Sequence, residues 1–72
     1  MDKYTVFSKT AAGEEAVRQR TRLVQRNLRN ILIMVDGQST VGDLAKRFGD
    51  QTVTEHALSE LERSGYIENF ET

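Results

Sequence analysis

Apolar residues in this chain recur every three or four positions through its middle and gather in short runs near both ends. The clearest stripe is Val41, Leu44, Ala45 and Phe48, one apolar face over two helical turns. Thr40 precedes it and Asp43 stands three residues on, a capping box that offers partners to orphan N–H groups at the positive helix end. Gly49 stops the helix. A second stripe, Val53, Ala57, Leu58 and Leu61, is opened by the same arrangement at Thr52 and Glu55. Gly65 closes it, with the positive φ that a helix end favours, and Arg63 suits the last turn. The pattern therefore predicts helices over 40–48 and 52–64. Only Gly49, Asp50 and Gln51 separate them, so the two must cross sharply.

From Glu14 to Asp36 there is neither Gly nor Pro, and the spacing predicts one helix over 14–35. Val17, Val24, Leu28, Ile31 and Val35 share a face, with Thr21 among them. On such a helix Arg18, Arg22 and Arg29 fall within roughly 40° of one another on nearly the opposite side, with Arg26 beside them. Arg20 and Thr21 both lie toward the apolar side, so a break near 19–21, giving two helices, stays open. Leu23, Ile33 and Met34 point off the main face. At the ends, Tyr4-Thr5-Val6-Phe7-Ser8 is β-branched and aromatic and predicts a strand, whose natural partner is Tyr66 to Phe70. The expected fold is mainly α with a small β ribbon (α+β). Three helices and one antiparallel ribbon joining the chain ends would form a single domain over 1–72, with Leu28, Ile31, Leu32, Leu44, Phe48, Leu58, Leu61 and Ile67 as its core.

Composition narrows this picture. At 72 residues, one core yields a net stability of about 3–5 kcal/mol, so self-association would help. A long first helix would use Val17, Leu23, Val24 and Met34 for a homodimer interface. There is no cysteine, which fits a reducing cytoplasm. The longest apolar run, Ile31 to Val35, is far too short for a bilayer, and Met1-Asp2-Lys3-Tyr4 lacks the charge and apolar pattern of a signal peptide. No membrane association and a cytoplasmic location are expected. Net charge is −1, yet the first thirty residues hold seven Lys and Arg against three acids, and the remainder three against eight. That asymmetry offers a basic face to an anionic partner, or two complementary faces for self-association.

The segments Ile-Leu-Ile-Met-Val-Asp-Gly, Ser-Thr-Val-Gly-Asp-Leu-Ala-Lys-Arg-Phe-Gly and Ala-Leu-Ser-Glu-Leu-Glu-Arg-Ser-Gly-Tyr-Ile-Glu follow one another here. Over about residues 28–67 this arrangement resembles the winged helix-turn-helix superfamily of bacterial regulators. The resemblance implies that helix 52–64 enters a DNA major groove, with Thr52, Thr54, Glu55, His56 and Ser59 facing outward. It implies that Tyr66 onward enters a wing. Two features depart from the family pattern: helix 52–64 is acidic, and too little chain follows the first wing strand for a hairpin there. The Tyr4–Phe7 strand is the expected replacement partner.

No Gly-rich phosphate loop, nucleophile elbow or His/carboxylate metal cluster occurs, so neither enzyme chemistry nor a cofactor or metal is expected. His56 has Ser59 three residues on but no orienting third group. Asp36, Asp43 and Asp50 read as turn and cap residues. Two binding functions follow. One is nucleic-acid binding through Arg18, Arg22, Arg26, Arg29, Lys46 and Arg47, with Thr52, Thr54, His56 and Ser59 at the reading helix. The other is a protein-interaction or assembly module that keeps the fold without reading DNA.

Overall fold

A computed structural model describes residues 2–19 and 26–70. Strand β1 (Phe7–Lys9) is followed by helices α1 (Ala11–Gln19), α2 (Arg26–Met34), α3 (Val41–Phe48) and α4 (Gln51–Arg63), and then by strand β2 (Ile67–Asn69). The two strands form an antiparallel ribbon in which Phe7 pairs with Asn69, Ser8 with Glu68 and Lys9 with Ile67. The terminal strands thus pair as the sequence predicts, but the ladder starts later than Tyr4. Backbone groups of the preceding arm are used elsewhere: the Lys3 and Thr5 carbonyls accept from the Gly42 and Val41 N–H groups, each at 2.9 Å. They occupy donors that the first turn of α3 cannot satisfy within the helix. Val6 forms an isolated antiparallel bridge with Thr40, so the chain near β1 has neighbours on both sides.

The expected single helix over 14–35 is replaced by two, α1 and α2, which gives four helices where three were expected. The two lie against each other. Residues on either side of positions 20–25 would stand about 10 Å apart in one straight helix, too far for such contact. Arg18 on α1 and Arg26 and Arg29 on α2 therefore do not share one helix face. Helix α1 also begins earlier than Glu14, with the Thr10 hydroxyl accepting from the Gly13 N–H at 3.1 Å.

Local chemistry fixes α3 and α4. Thr40 and Asp43 form the expected capping box, and Gly49 ends α3 at φ 93°. The N-cap of α4 lies two residues earlier than expected: it is Asp50, not Thr52, its carboxylate accepting from the Val53 N–H. At the other end the Tyr66 N–H donates to the Leu61 carbonyl and the Gly65 N–H to that of Glu62, the paired bonds of a Schellman motif. Between α2 and α3, Asp36 builds the turn by accepting from the N–H groups of Gln38 and Ser39 at 2.9 and 2.8 Å.

The core is Phe7, Ala16, Ile31, Leu32, Val35, Val41, Leu44, Ala57, Leu58, Leu61 and Ile67. Burying a side chain of the Val, Leu, Ile or Phe class contributes about 1.5–3 kcal/mol before the entropy of ordering is subtracted. Leu28 and Phe48, expected inside, are half-buried at its edge, as are Val17, Met34 and Tyr66. Of the four ribbon aromatics only Phe7 is buried outright, while Tyr4 and Phe70 are exposed. Among the described residues no helix is long and apolar enough to cross a membrane.

Candidate binding surface

The surface that α3 and α4 present together is set by their two-residue junction and by the stripe each buries. Helix α4 buries Thr54, Ala57, Leu58 and Leu61, spaced by three, four and seven from the first. Thr54 is therefore not an outward reading residue: it is 0% exposed, and its hydroxyl donates to the Asp50 carbonyl at 2.7 Å. The spacing that reveals this is legible in the chain, since Thr54 continues the row of Ala57, Leu58 and Leu61 better than the half-buried Val53 does. Thr52, His56 and Ser59 are exposed as expected, together with Gln51, Glu62 and Arg63. Glu55 and Glu60 are half-buried, and the Gln51 side-chain amide donates to the Glu55 carboxylate at 2.8 Å. Helix α4 is thus acidic in balance, three glutamates against Arg63, while its exposed charges are Glu62 and Arg63.

The basic residues are dispersed. Arg18 is exposed on α1 and pairs with Glu15 at 3.4 Å, a surface contact worth little. Arg26 is exposed at the start of α2, and Arg29, one turn on, is half-buried with an Nε that has no hydrogen-bond partner. Arg22 lies outside the described residues, as do Leu23 and Val24 of the expected dimer interface. Val17 and Met34, from the same expectation, are half-buried and pack against the chain's own core. Ile33 stays exposed on α2.

Lys46 and Arg47 are exposed in the last turn of α3, at the negative end of the helix dipole. There the fold adds a cation that sequence reasoning missed. The N-terminal arm, held to α3 by its two carbonyls, carries Lys3 to a groove also lined by Gly42, Ala45, Lys46, Gly49 and Gln51. Tyr4 continues this surface past Thr40 and Asp43, and the Lys3 ammonium stands 5.3 Å from the Tyr4 ring centroid, within cation–π range. No local signal announces the juxtaposition of Lys3 and Lys46, because it depends on how the arm docks.

Two carboxylates near this surface are engaged in caps, Asp43 with the Thr40 N–H and Asp50 with that of Val53. Away from it, the carboxyl of Asp36 is held below its ordinary range, chiefly by the Ser39 N–H and then by that of Gln38. Among the described residues no group of His, Cys, Asp or Glu is arranged to hold a metal ion. Compared with known protein families, with curated proteins and with solved structures, the chain matches none.

Proposed function

We propose that this chain is a non-catalytic binding module of the winged helix-turn-helix kind that docks on a protein rather than reading DNA. The tight α3–α4 junction and the ribbon that follows α4 support the module. The observation that carries the choice of partner is the acidic balance of α4, whose charged residues are Glu55, Glu60 and Glu62 against Arg63. A phosphate brought within 4 Å of one such carboxylate meets a repulsion of about 1 kcal/mol even in bulk water. Thr54, one of the four residues expected to read bases, is inside the core. The arginines expected to supply compensating affinity lie on separate helices or outside the described residues.

Nucleic-acid binding is the second reading, and one observation favours it: Lys3 and Lys46 line one groove with Gln51 at the start of α4. A band-shift titration of arbitrary duplex at low ionic strength separates the two. The protein reading expects no complex. A complex would overturn it if affinity fell with salt at a log–log slope near −0.9 per neutralised phosphate and if the double variant Lys46→Gln/Arg47→Gln flattened that slope.

A further inference from the structure

The groove between the N-terminal arm and α3 has the chemistry of an acceptor for an acidic segment of a partner protein. We infer that it is the docking site of the module, an inference that rests on the protein-partner reading and names the face and the chemistry involved. Its floor is Gly42, Ala45 and Gly49, which carry at most a methyl group, so a partner backbone can approach α3 closely. Lys3 and Lys46 line the same groove, one contributed by the arm and one by the helix. The Tyr4 ring, 70% exposed, extends the wall where the groove continues past Thr40.

Charge complementarity selects an acidic occupant. Neither lysine is in an ion pair with a described residue, whereas the nearby Asp43 and Asp50 accept from backbone N–H groups at helix starts. The cations are thus available to steer a negatively charged segment, and the aromatic and small apolar surface supplies contact area. A basic segment would meet two like charges, offset only in part by the capping carboxylate of Asp43 on the groove's continuation. Gln51, at the other rim, presents an amide beside the start of α4, but its donor is held by Glu55.

The test is a titration of the isotopically labelled full chain with a short Glu-rich peptide containing two leucines, followed by amide NMR shifts and repeated with a Lys-rich peptide of the same length. The acidic peptide should shift Gly42, Ala45, Gly49 and the arm residues. Lys3→Glu/Lys46→Glu should weaken it by about tenfold, the effect of reversing two exposed charges near the ligand. Thermal unfolding of that variant should match the wild type, and Lys3→Arg/Lys46→Arg should retain binding. Absence of binding, equal binding of the Lys-rich peptide, or no loss in the charge-reversed variant would overturn the inference. Shifts confined to α4 or to the ribbon would overturn this site yet leave the protein-partner reading standing. A duplex of DNA that bound and shifted the groove in place of the peptide would sink both.

Discussion

Replacing Gly13 by Ala should destabilise this protein, although the same change inside a helix ordinarily stabilises it by about 1 kcal/mol. A Cβ at Gly13 would sit 2.0 Å from the Tyr66 carbonyl oxygen and 3.0 Å from its carbon, backbone atoms that cannot rotate away. Relief requires the start of α1 and the entry to β2 to separate by about 1 Å or more, toward ordinary contact distance. Two bonds span that junction: the Thr10 N–H donates to the Tyr66 carbonyl at 3.0 Å, and the Thr10 hydroxyl to that of Gly65 at 2.6 Å. Stretching both forfeits about 1 kcal/mol each, and overpacking adds about 1–3 kcal/mol. After subtracting the gain in helix propensity, the net loss is at least about 2 kcal/mol, half or more of what a core this size provides. Urea unfolding followed by circular dichroism should show a lower midpoint with unchanged slope, and the thermal midpoint should fall by about 10 °C. Gly42→Ala is the control. Its nearest neighbour would be the Lys3 carbonyl at 3.4 Å, so it should stay within about 0.5 kcal/mol of wild type or gain. A Gly13→Ala protein as stable as its parent would refute the reasoning.

Two further outcomes follow from the caps and turns. Asp50→Ala should cost about 1 kcal/mol while Thr52→Ala should cost less than about 0.5 kcal/mol, and chemical denaturation yielding the reverse order would restore Thr52 as the cap. Because the folded-state pKa of Asp36 is depressed, the stability it contributes is fully present above its ordinary value of 3.8 and is lost as pH falls through the lowered value. Asp36→Asn should therefore lose less stability than wild type between neutral pH and about pH 3, and identical declines would show that the turn hydrogen bonds do not set the shift.

What the sequence made legible was local. The Thr40–Asp43 box, the Gly49 and Gly65 helix ends and the stripes of α3 and α4 all depend on residues within two turns of one another, where propensity and capping act directly. Pairing of the terminal strands was also readable, because each short aromatic run needed a partner and only one other existed. The start of α4 was ambiguous since Asp50 and Thr52 are both good caps, and the family resemblance places Thr54 outside although its spacing to Ala57, Leu58 and Leu61 puts it on the buried row. The split between α1 and α2 carries no Gly or Pro, so its only mark was the poor fit of Arg20 and Thr21 to a continuous apolar face. Two features were beyond local pattern altogether: the close approach of Tyr66 to Gly13, and the meeting of Lys3 with Lys46. Both arise from packing between segments more than forty positions apart.

The ribbon has a mechanical consequence. In the antiparallel register the Phe7–Asn69 pair is the end of the ladder nearest both outgoing chains, preceded by the bond from the Phe70 N–H to the Val6 carbonyl and by the arm's bonds to α3. Tension that reaches the ladder therefore opens it one rung at a time instead of shearing all rungs together. Remaking those rungs means closing a loop of nearly the whole chain, whose entropic cost grows with the logarithm of its length. The contacts of α3 with α4 enclose only a short loop. Under force the module is thus a zipper beside a helical block. The arm that carries Lys3 precedes the ladder and is bonded to α3, so tension from its side strips it from α3 before the rungs open, coupling the grip on the proposed acidic segment to that pull.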